Sequence, residues 1–114
     1  MSQPAVVVPV VVPVVVTAVF VPRPGQRDAA RAAIEGALSD VHAEEGCLLY
    51  ALHEAADGTL VLIEKWESAE LLDAHGAAEP VARLGAALDG LLEQPPAVVR
   101  MTPLPAGDPA KGRL

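Results

Sequence analysis

The side chains that could carry chemistry in this 114-residue chain are few and scattered. Its three histidines, His42, His53 and His75, fall on three different predicted elements, so their spacing does not indicate a metal site. The single cysteine, Cys47, can form neither an intramolecular disulfide nor a cysteine cluster for zinc. The sequence contains no Gly-rich phosphate loop, no HExxH motif and no recognisable Ser/His/Asp grouping. These residues therefore form no recognisable catalytic or metal-binding motif.

Several of these groups fall on a predicted β-hairpin that runs from Gly46 to Trp66. Its strands are predicted at 47–54 and 59–66, on either side of a loop that ends in Asp-Gly. With Glu54 opposite Thr59, one face would carry Cys47, Leu49, Ala51, His53, Leu60, Leu62, Glu64 and Trp66. That face joins a carboxylate, an imidazole and the only tryptophan. The alternative is that Trp66 is simply core and Glu64 a strand-end charge, and a shift of one residue would reassign the faces.

The elements around the hairpin predict an α+β fold. A strand is expected at 14–21, a helix at 27–44, a second helical region from Ala69 that is interrupted near Gly76, and a last strand at 97–102. The order β-α-β-β-α-β is that of the ferredoxin-like fold, an antiparallel sheet with both helices on one face. The other face needs a cover, most simply a second copy, so we expect a homodimer or a higher oligomer.

The sequence predicts an extended N-terminal arm (1–13), one domain (14–102) and a flexible C-terminal tail (103–114). The apolar run from Ala5 to Val21 is not expected to span a membrane, because Pro9 and Pro13 interrupt it and most of its residues are β-branched. A net charge of −7 argues against binding to nucleic acid or to an anionic membrane. A reducing cytoplasm fits the single cysteine.

Three segments in this order resemble the antibiotic-biosynthesis-monooxygenase family. They are Glu45-Gly46-Cys47-Leu48-Leu49-Tyr50, Leu62-Ile63-Glu64-Lys65-Trp66-Glu67-Ser68 and Leu72-Asp73-Ala74-His75. The resemblance covers about residues 14–102 and implies a dimeric α+β barrel. It also implies a monooxygenase that needs no cofactor and that oxidises a quinol-like or polyphenolic aromatic with O2.

The resemblance supplies the candidate site. His75 is the candidate base or proton relay and Trp66 the candidate for stacking on the substrate or donating its indole N–H. Further candidates for contact with the substrate are Tyr50, His53, Glu64, Thr17 and Phe20. The heme-degrading branch of the superfamily uses an Asn on its first strand. Strand one here has no Asn, and Thr17 is its only polar residue, so heme degradation is not expected.

Two other hypotheses remain open on the same fold, because a fold does not determine a function. One is a non-catalytic dimer that binds a small molecule or responds to stress. The other is a purely structural assembly protein, which would have a cavity too small for a ligand. The substrate, the reactivity of Cys47 and the role of the Val/Pro-rich arm are not determined by the sequence.

Overall fold

A computed structural model describes residues 11–114. Its elements follow the order β1 (Val14–Phe20), α1 (Arg27–His42), β2 (Cys47–Glu54), β3 (Leu60–Trp66), α2 (Ala69–Gly76), α3 (Glu79–Ala87) and β4 (Ala97–Met101). The strands form one antiparallel sheet in the order β2-β3-β1-β4, so the two central strands are distant in sequence. The predicted ferredoxin-like α+β fold is confirmed, with the second helical region divided into α2 and α3.

Local sequence accounts for these boundaries. Ser68 caps α2, since its hydroxyl oxygen accepts a hydrogen bond from the backbone N–H of Leu71 at 3.2 Å. Helix α2 ends at Gly76, and Pro80 lies in the first turn of α3, where its missing N–H costs nothing. Helix α1 ends at His42, two residues before the predicted end, and Gly46 instead turns the chain into β2 with a φ of 82°.

The predicted register of the hairpin was wrong by one residue. The N–H of Ala55 donates to the carbonyl of Thr59 at 2.8 Å, so Ala55 rather than Glu54 lies opposite Thr59. The loop is then three residues long, and Gly58 closes it with a φ of 87°. Glu54 pairs with Leu60 and Tyr50 with Glu64, which moves Leu49, Ala51 and His53 to the opposite face from Glu64. A bulge between Cys47 and Leu49 keeps Cys47 opposite Trp66, as expected.

The two faces of the sheet have different surroundings. The three helices lie on the side of the covered face, and the core is between them and the sheet. Its most buried large side chains are Trp66, Ile34, Leu60, Leu62, Val16 and Val41. The open face has no helix over it in residues 11–114. By strand alternation it carries Val15, Thr17, Val19, Leu49, Ala51, His53, Val61, Ile63, Lys65, Ala97, Val99 and Met101.

The segments outside the domain are partly described. Residues 1–10 of the predicted N-terminal arm lie outside the described residues, and 11–13 form neither helix nor strand. In the C-terminal segment, the N–H of Gly112 donates to the carbonyl of Asp108 at 2.7 Å, and Lys65 Nζ donates to the main-chain oxygen of Leu114 at 2.8 Å. The flexibility of this segment stays a prediction. In the described part of the chain no helix is long and apolar enough to cross a membrane.

Candidate active site

A cavity of about 250 Å³ lies between the covered face of the sheet and helices α2 and α3. Its walls are mostly apolar, with Val16, Ala18, Phe20 and Val98 from the sheet and Leu72, Val81, Leu84 and Leu88 from the helical side. Four residues that line it carry functional groups: Tyr50, Glu64, His75 and Arg100. An apolar cavity with a few convergent polar groups is the usual form of a small-molecule site.

Glu64 is a carboxyl group almost completely removed from solvent, with 4% of its surface exposed. Its Oε1 accepts a hydrogen bond from the indole Nε1–H of Trp66 at 3.0 Å. Burial raises the pKa of Glu64, and the Trp66 hydrogen bond and the nearby His75 oppose that rise in part. The carboxyl is therefore shifted toward its neutral form, in which it can donate a hydrogen bond into the cavity.

The imidazole of His75 is held on three sides. Its Nδ1 lies 2.9 Å from Oε2 of Glu44. The Trp66 ring packs on it with 4.4 Å between centroids and an angle of 31° between planes, and the Tyr50 ring meets it edge-on at 5.6 Å. Because the imidazole is only 8% exposed, these contacts limit its orientation. Its Nε2 forms no hydrogen bond to any described residue.

Tyr50 keeps its phenolic proton across the physiological range. Burial raises its pKa well above the ordinary value, and the nearby carboxyl groups of Glu64 and Glu44 raise it further. The same causes raise the pKa of the Cys47 thiol, which lies across from Trp66. Tyr50 is thus a hydrogen-bond donor at the cavity wall, and the same burial disfavours the thiolate form of Cys47.

One edge of the cavity is polar. Arg100, on β4, donates from Nη2 to Oδ1 of Asp73 on α2 at 2.7 Å, and both side chains are half-exposed or more. Strand β4 is exposed along its whole length, including Val98, so this edge is where the cavity is least covered.

The structure brings together most of the predicted site residues. Phe20, Tyr50, Glu64 and His75 line the cavity. Trp66 is completely buried and does not line the cavity. Its indole contacts His75 and Glu64 on the side away from the cavity, so it would not touch a molecule bound there. The other two predicted residues, Thr17 and His53, do not line the cavity.

Thr17 and His53 lie on the open face. Thr17 is half-buried between Ile63 and Val99, its neighbours on the adjacent strands. His53 is exposed, with Nδ1 3.2 Å from the carbonyl of Ala51 on its own strand. The wrong hairpin register accounts for the misplacement of His53. Neither residue lines the cavity.

Sequence reasoning missed two residues, Glu44 and Arg100. Glu44 is 31 positions from His75, so no spacing rule connects them. Arg100 had a usable signal, since it is the one charged residue in an apolar strand, and alternation places it opposite Val16 on the covered face. Residues 11–114 contain no group of three or more His, Cys, Asp or Glu side chains placed to hold a metal ion.

Fold and cavity together define the class of protein: a small ferredoxin-like α+β domain with a mostly apolar cavity between sheet and helices. Comparison with known proteins narrows this class. The sequence model described as "Antibiotic biosynthesis monooxygenase" matches residues 13–86, and the chain belongs to this family.

Individual relatives agree with this assignment. One relative is the Mycobacterium tuberculosis protein named "Putative monooxygenase Rv0793". It is 41% identical to this chain over 86 residues, which cover 75% of this chain and 85% of that protein. The solved structure of Rv0793 superposes with a TM-score of 0.77 at 39% identity and covers 84% of this chain and 99% of that one. A crystal structure described as an antibiotic biosynthesis monooxygenase superposes with a TM-score of 0.74 at 28% identity and covers 81% of this chain and 99% of that one. The structure of PA3566 from Pseudomonas aeruginosa superposes with a TM-score of 0.75 at 24% identity and covers 82% of this chain and 95% of that one, which shows a likeness of fold alone.

Proposed function

We propose that this chain is a monooxygenase that oxidises a small quinol-like or polyphenolic aromatic with O2 and needs no cofactor. Membership of the family supports monooxygenase-like activity. The observation that carries the finer proposal is the apolar cavity in which Tyr50, Glu64 and His75 meet. It offers apolar walls for a ring and polar groups for its oxygen atoms.

The proposed reaction needs no external reductant. A hydroquinone and one O2 give a hydroxyquinone and one water, so the substrate supplies all four electrons that reduce O2. The protein has to bind the ring, take a proton from a phenolic hydroxyl to make the substrate electron-rich, and exclude bulk water. His75 is the proposed base, because imidazole is the side chain suited to accept a proton near neutral pH. Tyr50 is the proposed donor to a substrate oxygen atom, and Glu64, whose pKa burial raises, is the proposed second polar contact.

The size of the cavity favours small substrates. Ligand sites commonly measure about 300–1,000 Å³, and this one, at about 250 Å³, lies just below that range. We therefore expect benzene- and naphthalene-type quinols to be better substrates than larger fused-ring phenols.

We also propose that the protein works as a homodimer through the open face. Nine of the twelve residues on that face are apolar, and two of them are exposed, Val99 at 52% and Met101 at 39%. A continuous apolar surface of this kind indicates an interface. A second copy is the simplest partner, since packing two such faces together would bury both.

The test is O2 consumption with a series of hydroquinones, measured with an oxygen electrode and with product analysis for the hydroxyquinone. We expect His75→Asn to reduce kcat by about 100-fold or more, the usual contribution of a positioned base. His53→Asn on the open face is the matched control and should retain activity. Binding of quinols without O2 uptake would instead support a non-catalytic ligand-binding protein. Equal activity of the two variants would remove His75 from the site.

A further inference from the structure

Glu44 lies outside every motif that predicted the site, yet its contact with His75 is the closest polar contact that the imidazole makes. Glu44 Oε2 and His75 Nδ1 are 2.9 Å apart, and the two side chains are 16% and 8% exposed. A buried hydrogen bond to a carboxylate is stronger than one between neutral groups. The contact therefore has enough energy to determine how the imidazole is protonated and oriented.

The backbone holds Glu44 in this place. The turn that follows it passes through Gly46, whose carbonyl accepts the N–H of Glu67 at 2.9 Å. A Cβ at Gly46 would lie 2.8 Å from Cβ of Leu71, so only glycine lets this turn pack so closely on α2. His75 follows Leu71 by four residues and lies on the same side of the helix. The packing of the turn on α2 thus brings Glu44 and His75 together.

This geometry selects one tautomer of His75. An ionised carboxylate can only accept hydrogen bonds, so the proton of a neutral imidazole lies on Nδ1 and the lone pair on Nε2. Nε2 is bonded to no described residue, and His75 lines the cavity. A lone pair that is not already engaged is what a base needs.

We propose that Glu44 is a positioning residue for His75, which keeps the imidazole in its Nδ1–H tautomer and stabilises the imidazolium that forms when Nε2 accepts a proton from the substrate. In that step the phenolic O–H bond breaks, an N–H bond forms at Nε2 and the electron pair stays on the substrate oxygen. Glu44 remains a carboxylate throughout. The role in turnover rests on the proposed function, while the tautomer is a property of the free protein.

The other charged and titratable groups around His75 leave this role to Glu44. Glu64 on β3 accepts from Trp66 and, like Tyr50 on β2, is shifted toward its neutral form by burial. Arg100 on β4 is paired with Asp73 of α2. Among the described residues, Glu44 is the only carboxylate within hydrogen-bond distance of the imidazole.

The first test needs no substrate. Nitrogen-15 NMR of the intact protein at about pH 9, above the ordinary titration range of imidazole, should show the proton of His75 on Nδ1. His75→Asn would assign the signals. In Glu44→Ala the acceptor for Nδ1–H is removed, so the fraction of His75 protonated on Nδ1 should fall. A wild-type His75 protonated on Nε2, or an Nδ1–H fraction unchanged in Glu44→Ala, would overturn the proposal.

The second test is kinetic. We expect Glu44→Gln to lower kcat by about 100-fold with KM changed less than a few-fold, since general-base catalysis commonly contributes that much. Glu44→Asp, which keeps the charge, should recover part of the loss. Glu45→Gln, at the exposed neighbouring position, is the matched control and should be unaffected. An equal loss in Glu44→Gln and Glu44→Asp, or full activity in both, would reject a positioning role.

The two tests separate the two proposals. If no quinol is oxidised by the wild-type protein, the proposed function fails, but the NMR result still decides whether Glu44 sets the tautomer. Circular dichroism of each Glu44 variant identifies any that does not fold. In that case Glu44→Asp, the smallest change, supplies the NMR comparison, and it should keep the proton on Nδ1.

Discussion

The two faces of the sheet carry similar kinds of residue in opposite situations. On the covered side, Trp66 and Glu64 of the sheet form one buried pair, and His75 of α2 is bonded to Glu44 of the turn before β2. On the open face Thr17 and His53 stand among aliphatic residues at half-buried or exposed positions. Each face therefore has its own use. Paired, desolvated groups can acquire shifted proton affinities, whereas an apolar surface with few polar groups is suited to association.

The largest expected effect concerns the open face. In Val99→Asp the proposed twofold dimer would have to bury two carboxylates, one from each subunit, and an unpaired buried charge costs several kcal/mol. We expect the dimer to dissociate, as measured by sedimentation velocity. Val99→Thr, nearly equal in shape but uncharged, should stay dimeric. A Val99→Asp protein that sediments like the wild type would show that the open face is not the interface.

The next largest effect concerns the covered face. Trp66 is completely buried, so Trp66→Ala should lower the free energy of unfolding by about 3–5 kcal/mol. Trp66→Phe keeps most of the packing and removes only the hydrogen bond to Glu64, and we expect a loss of about 1–3 kcal/mol. Urea unfolding followed by far-ultraviolet circular dichroism measures both. Equal losses in Trp66→Ala and Trp66→Phe would mean that the indole hydrogen bond, and not the packing of the ring, supplies the stabilisation.

A smaller effect is expected from Glu64 and depends on pH. Burial raises its pKa in the folded protein, so above about pH 4.3, the ordinary value for Glu, the folded state binds more protons than the unfolded state. The contribution of Glu64 to the free energy of unfolding is thus fully present at low pH and is lost as the pH rises through the raised pKa. Compared with Glu64→Gln, the wild type should lose stability from pH 4 to pH 8 in urea unfolding. If the free energy of unfolding of the wild type relative to Glu64→Gln stays constant or grows with pH, the pKa of Glu64 is not raised in the folded protein.

How far the sequence predicts each face follows from the range of the interactions. Alternation and helical periodicity act over a few residues, which is why the strand at Val14–Phe20, the hairpin and the Ser68 cap were predicted within a residue or two. The hairpin register depends on whether the loop has three residues or four, and pattern alone does not resolve that. The error exchanged Tyr50 and His53 between the faces.

The site itself depends on longer-range packing. The family resemblance named His75 and Trp66, and the structure shows their rings in contact. Glu44 could not be predicted, because its approach to His75 depends on how closely the Gly46 turn packs on α2. That distance is a property of the folded core and not of any local motif.

The smallest expected effect is also on the open face and tests whether the two faces are independent. Thr17→Val replaces a hydroxyl with a methyl group between Ile63 and Val99, so the surroundings become more uniformly apolar. Away from a buried polar network such a change is usually worth less than about 0.5 kcal/mol, and we expect quinol oxidation to be unchanged. Thermal unfolding and O2 uptake measure the two quantities. A loss of activity at unchanged stability would mean that the open face contributes to the site, and that the cavity on the covered face is only part of it.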